Sequence, residues 1–267
     1  MKLAILACLA LTAAAARADD GVVRLHAAGS LRPALTEMAQ AFTAAHGIRV
    51  EAAFGSSGTL RERLEGGEAG GVYASADMGN PAALARDGKA WPVVTFARNR
   101  LCAIARPGLA VSSATLLDAM LAPGTTLGTS TPRSDPAGDY AMQVFARAGA
   151  LRPGAGAALQ AKAVMLTGAP GSAAPPPGRN VYAWHVLEGR ADLFLAYCTA
   201  AREAVAASPS LQAVDLPPDL AVGAEYGLTA LRAADPRTTL PFVLFILSPG
   251  GQAILARHGF DAPLAPH

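Results

Sequence analysis

Twice along this chain, short apolar runs alternate with longer amphipathic stretches. That alternation confines the fold to helices packed on a mostly parallel sheet. Residues 22–28 read as a strand. Over residues 31–46, Leu31, Leu35, Met38, Ala39 and Phe42 recur at helical spacing, and Gly47 ends the helix. A strand at 48–54, a helix at 59–64 closed by Gly66-Gly67, and a strand at 72–75 follow. Next comes a helix at 81–87 with Asn80 as its cap. The pattern then restarts: a strand at 99–105 closed by Arg106-Pro107-Gly108, a helix at 113–121, a strand at 126–128 and a helix at 137–148. Beyond these lie a helix at 181–188, capped by Asn180 and stopped by Gly189, and a strand at 193–197. Two helices, 236–247 and 250–258, finish the chain, and the apolar part of the first, 241–247, reads as buried. Residues 168–178 are Gly, Pro, Ala and Ser with three consecutive prolines, a composition that builds no core, so an exposed loop is expected.

The start of the chain has a different character. Met1-Lys2 is followed by an uncharged apolar run over 3–15 and by Ala16-Arg17-Ala18, the layout of a secretory signal peptide cleaved after Ala18. The run is shorter than the roughly 20 residues that span a bilayer. Cys8 hints at a lipid-attachment site but falls too early to leave an apolar region before it. No later stretch is apolar for long enough to span a membrane, so the mature chain is expected to be soluble. Two cysteines then remain, Cys102 and Cys198. Outside the cytoplasm they are free to pair, and two buried thiols fit the sequence equally well. A net charge of +2 without a basic cluster gives no support for nucleic-acid binding.

Three short segments share one physical property. Ala27-Ala28-Gly29-Ser30-Leu31, Phe54-Gly55-Ser56-Ser57-Gly58-Thr59 and Asp135-Pro136-Ala137-Gly138 each place small residues or donors where a helix begins. Helix N-termini present unpaired N–H groups and partial positive charge, which suits an anion. Ligands of open α/β sheets lie beyond the carboxyl ends of the strands, where these segments fall. Each alone reads as an ordinary helix cap; their order and spacing together are more specific. No carboxylate lies inside the Ser30 or Ser57 segments, and Asp135 and Asp139 beside the third are expected to point outward. A site made of donors alone favours a fully ionised tetrahedral oxyanion over hydrogen phosphate, which needs an acceptor.

Phe54-Gly55-Ser56-Ser57-Gly58 followed by Tyr73-Ala74-Ser75-Ala76-Asp77 resembles the molybdate-binding proteins of bacterial ABC importers. Ala28-Gly29-Ser30-Leu31, Pro136-Ala137-Gly138-Asp139-Tyr140-Ala141, Asn180-Val181 with Glu188-Gly189-Arg190-Ala191-Asp192, and Ser248-Pro249-Gly250-Gly251-Gln252-Ala253 with Gly259-Phe260 are similar to further motifs of that family. The resemblance implies a type II periplasmic binding fold of class α/β: two lobes with mixed, mostly parallel sheets and a hinge. Residues 19–99 and 222–267 would form lobe one and residues 100–221 lobe two, crossing near Arg98–Arg100 and Ala221–Tyr226. It also implies molybdate or tungstate as ligand, held by the hydroxyls of Ser30, Ser57 and Tyr197 and the N–H groups of Ala137 and Val181. The only metal is that of the oxyanion, with no cofactor. A periplasmic monomer that delivers to an inner-membrane ABC permease is the implied setting.

Some residues depart from the family pattern. Cys198-Thr199-Ala200 follows Tyr197 where the family has a small residue and then Ser-Asp, so the tyrosine lacks its usual neighbour. Arg133 reads either as a cleft residue or as a solvated surface arginine, and His185 as a packed histidine. Tyr182 and Trp184 enrich the same helix start. An enzyme has little support, since no nucleophile–base pair or Gly-x-Ser-x-Gly elbow is present. The same fold serving a small carboxylate or metal chelate, or acting as a ligand sensor, remains the alternative.

Overall fold

The computed structural model describes residues 21–263. The expected signal peptide, its cleavage site and Cys8 lie outside the described residues.

The first round of alternation forms β1 (Val22–Ala28), α1 (Arg32–His46), β2 (Arg49–Gly55), α2 (Ser57–Glu65), β3 (Val72–Ser75) and α3 (Gly79–Arg86). Strands β2 and β3 both run parallel to β1, one on each side. Helix α1 forms because its apolar residues fall on one stripe: Ala34, Leu35, Met38 and Phe42 are all buried. Phe42 packs edge-on against Phe242 at 5.0 Å and Phe245 at 5.6 Å. Each such side chain contributes roughly 1.5–3 kcal/mol by leaving water. Gly47, at φ 69°, ends the helix in the left-handed conformation. Asn80 is not the cap of α3, contrary to expectation. Asp77 takes that part: its carboxylate accepts from the Asn80 N–H at 2.9 Å and from Asn80 Nδ2 at 2.7 Å.

The second round is built around β4 (Val94–Ala105), α4 (Leu116–Leu121), β5 (Leu127–Ser130), α5 (Pro136–Leu151), α6 (Ala155–Lys162), β6 (Val164–Thr167), α7 (Val181–Leu187), β7 (Leu193–Tyr197), α8 (Cys198–Ala207) and β8 (Gln212–Asp215). Strand β9 (Gly223–Ala230) and helices α9 (Pro236–Leu247) and α10 (Pro249–Arg257) complete the chain. The strand order is β2-β1-β3-β9-β4-β7-β5-β6, with β8 also on β4. Pairing is parallel toward both ends and antiparallel where β9 and β4 meet in the middle. Helix α9 is buried on one face only: Phe242 and Ile246 are inside, while Leu244 is 66% exposed. Among the described residues no single helix is long and apolar enough to cross a membrane.

Strand β4 changes partners along its length. Up to Arg100 it pairs with β9; from Leu101 onward it lies between β7 and β8. One hydrophobic core continues across the change, from Leu25 and Phe42 to Phe194 and Leu195. At the same place Cys102 and Cys198 form a disulfide that joins positions 96 residues apart, which decides between the two readings of the sequence. Closing so long a loop restricts the unfolded chain, and losing it costs about 2–4 kcal/mol. We expect the Cys102→Ala/Cys198→Ala double variant to melt roughly 5–15 °C lower. An unchanged melting temperature would show that packing alone holds this junction.

Candidate functional site

A cavity of about 180 Å³ lies where the two strand groups face each other. This is below the roughly 300 Å³ at which sites for larger organic ligands begin, so the space suits one small solute. From the first strand group come Gly29 and Ser30 after β1, Gly55 at the end of β2 with Ser56 and Ser57 after it, and Ala76 after β3. From the second come Asp135 before α5, Thr167 at the end of β6 and Gly168 after it, Val181 and Tyr182 at the start of α7, and Tyr197 at the end of β7. The cavity therefore sits at the carboxyl ends of parallel strands, where the donor-rich segments fall.

Of the five residues expected at the site, four line this cavity: Ser30, Ser57, Val181 and Tyr197. Ala137 does not. Its N–H donates to the Asp135 side chain at 3.1 Å, and the residue is buried in α5. The Asp135 carboxylate is the reason. It caps the helix and takes the amide that the family resemblance assigned to the ligand. Asp135 itself corrects an expectation, because it faces the cavity rather than solvent. Asp139 does point away, accepting from the Arg133 N–H at 3.0 Å.

Each hydroxyl is held by a partner from elsewhere in the chain. Ser57 is fully buried, and its Oγ accepts from the Ala76 N–H at 3.1 Å. That leaves the Ser57 proton free to donate. Its carbonyl accepts from the Tyr73 hydroxyl at 2.6 Å, which fixes the start of α2. Ser30 Oγ lies 3.0 Å from the Tyr226 hydroxyl, and that hydroxyl accepts from Asn99 Nδ2 at 3.3 Å. With Tyr226 donating to Ser30, the Ser30 proton is left free for the cavity. Tyr197 spends its proton on the Ala76 carbonyl at 3.1 Å, a bond that links the two strand groups. Burial pushes the Tyr197 and Tyr226 hydroxyls well above the ordinary phenol range, so both stay protonated. At α7, Asn180 Oδ1 accepts from the N–H groups of Tyr182 and Ala183, both at 3.0 Å. The Val181 N–H, one place earlier, lies beyond that cap.

The cavity lining contains no Lys, Arg or His and one carboxylate. Two like charges 4 Å apart repel by about 4 kcal/mol at an effective dielectric of 20. Desolvation, with Asp139 and Asp77 nearby, raises the Asp135 carboxyl above the usual carboxylate range, against the bonds it accepts from Ala137 and Ser130. Arg133 stays out of the cavity and is exposed. His185 packs between Trp184 at 4.7 Å and Phe194 at 6.2 Å, and burial lowers its pKa.

Sequence reasoning missed Ser56, Asp135, Thr167 and the supporting pair Asn99 and Tyr226, and noted Tyr182 only as an enrichment of its helix start. Ser56 and Asp135 stood inside quoted motifs; Asn99 and Tyr226 are 127 positions apart and carry no local signal. The missing neighbour of Tyr197 also finds its replacement. Cys198 is anchored by the disulfide and Thr199 Oγ1 accepts from Asn99 Nδ2 at 2.9 Å.

A sequence model of the bacterial extracellular solute-binding protein family matches residues 23–261, and the chain belongs to that family. A Pasteurella multocida protein described as uncharacterized is 34% identical over 212 residues, which is 79% of this chain and 88% of its own. The periplasmic molybdate-binding protein of Azotobacter vinelandii is similar in structure, with a TM-score of 0.73 at 21% identity over 92% of this chain and 100% of that one. The sulfate-binding protein of Mycobacterium tuberculosis reaches 0.75 at 19% identity, over 92% and 88%. These likenesses establish the α/β periplasmic binding fold.

The two strand groups also touch directly at Gly58, whose N–H donates to the Ser134 carbonyl at 3.0 Å. A Cβ at Gly58 would come within 2.9 Å of that same carbonyl oxygen. Gly58→Ala should therefore break this contact, and amide hydrogen exchange in the Ser56–Leu60 peptide should quicken. Unchanged exchange would show that the contact yields to a methyl group.

Proposed function

We propose that this chain is the extracytoplasmic binding component of an ABC importer and carries a tetrahedral oxyanion, molybdate or tungstate. The observation that carries the reading is the small cavity that gathers Ser30, Ser57, Val181 and Tyr197 without a single cationic side chain. An ion held by neutral donors keeps its charge dispersed over hydroxyls and N–H groups. The hydroxyl and N–H donors serve any oxyanion of this shape, and the Asp135 carboxylate adds an acceptor that hydrogen phosphate could use; room for the longer metal–oxygen bonds is what would favour molybdate over sulfate.

In this reading the two strand groups are lobes, and the β4–β9 pair is the hinge. Gly58–Ser134 and Tyr197–Ala76 are the bonds of the closed state. The chain would be exported with cleavage after Ala18, act as a monomer in the periplasm and dock on an inner-membrane permease. The open alternative is the same fold serving a small carboxylate or another solute.

Thermal melting against molybdate, tungstate, sulfate, phosphate and small organic acids tests the ligand. At a hundred times the dissociation constant, binding adds about 2.7 kcal/mol, which raises the melting temperature of a chain this size by roughly 5–10 °C. Ser30→Ala should weaken binding roughly 10- to 100-fold, the worth of one hydrogen bond to a charged group. No shift with millimolar molybdate or tungstate would sink this assignment.

A further inference from the structure

The cavity places a carboxyl group where an anion is to sit. Asp135 lines it together with Ser57 and Tyr197, and no Lys, Arg or His lines it to offset the charge. The carboxyl is tied in place. It accepts from the Ala137 N–H and from Ser130, and a Cβ on Gly168 across from it would lie 2.6 Å from the Asp135 Cβ. The groups that act on it are all acidic or neutral: Asp139 from its own helix, Asp77 after β3, Tyr182 from α7 and Tyr197 from β7. An ionised Asp135 beside a dianion would set like charges against each other.

We propose that oxyanion binding carries one proton into the cavity, held between the Asp135 carboxyl and an oxygen of the anion. The inference rests on the oxyanion reading above. The carboxyl O–H donates to the anion, so Asp135 acts as one more neutral donor. The proton comes from solvent when free Asp135 is ionised, and no covalent bond to the ligand forms. The raised pKa of the carboxyl agrees with this placement. The sign follows from linkage: the complex holds one proton more than the free protein and free anion above the pKa of free Asp135. Affinity therefore falls about tenfold per pH unit in that range and is flat below it.

The test is titration calorimetry of molybdate and tungstate from pH 6.5 to 9, in buffers of different ionisation enthalpy. The wild-type chain should take up close to one proton per anion at the alkaline end, with affinity falling as pH rises. Asp135→Asn keeps the acceptor for the Ala137 N–H and supplies a permanent N–H donor. Its affinity should change less than about twofold over the same range, with no proton uptake. Wild-type binding that is tight, independent of pH and free of proton uptake overturns the proposal. So does the same pH dependence persisting in Asp135→Asn, because the proton then lies elsewhere. If the wild-type chain binds neither anion at any pH, the oxyanion reading itself fails and this inference fails with it.

Discussion

Strand β4 belongs to both halves of the protein, and the rest of the structure depends on that. Its first half is hydrogen-bonded to β9 and its second to β7 and β8, so the two strand groups meet along one line near Arg100 and Leu101. Asn99, one residue before the change, is buried and donates to both Tyr226 and Thr199. Through Tyr226 it sets Ser30; through Thr199 it fixes the turn that carries Tyr197. Cys102, on the far side of the change, ties Cys198 to the same strand. The cavity hydroxyls on opposite sides are thus referenced to a few adjacent residues of one strand.

The chemistry of the cavity follows from what it lacks. With no cation in its lining, it offers an anion hydrogen bonds rather than a counter-charge. Buried hydrogen bonds to a charged group are worth about 1.5–3 kcal/mol each, so a handful of aligned donors suffices for useful affinity. Alignment is what the surrounding network supplies. Tyr73, Ala76 and Tyr226 each hold a serine, and Asn180 squares off the start of α7. Asp135 is the exception in a neutral set. Its two parts, helix cap and cavity wall, explain why Ala137 is withheld from the ligand.

Much of this was legible from residues alone, for reasons that differ by element. Strands at 22–28, 72–75 and 193–197 appear with the same bounds, because apolar runs ending in small or turn-forming residues leave little choice of register. Strands β6, β8 and β9 and helices α6 and α8 went unread. Val164 and Met165 are exposed, so β6 lacks a buried run, and α6 is alanine-rich with no apolar stripe. The site divides the same way. Ser30, Ser57, Val181 and Tyr197 sit in motifs at strand–helix junctions and can be read in order. Asp135 was misjudged because Asp before Pro at a helix start reads as a cap, which it is; nothing local shows that the cap also faces a cavity. Asn99 and Tyr226 act through pairing between distant strands, and only the folded sheet brings them together.

The central claim is that a small oxyanion lies between the strand groups, on the Ser30 and Ser57 hydroxyls and the Val181 N–H, beside Tyr197. Crystals grown with tungstate test it most directly, through the anomalous scattering of the metal. The account predicts one strong peak in the cavity, with oxygens in hydrogen-bonding reach of the Ser30 and Ser57 hydroxyls. A peak elsewhere on the protein, with this cavity holding only water, would contradict it.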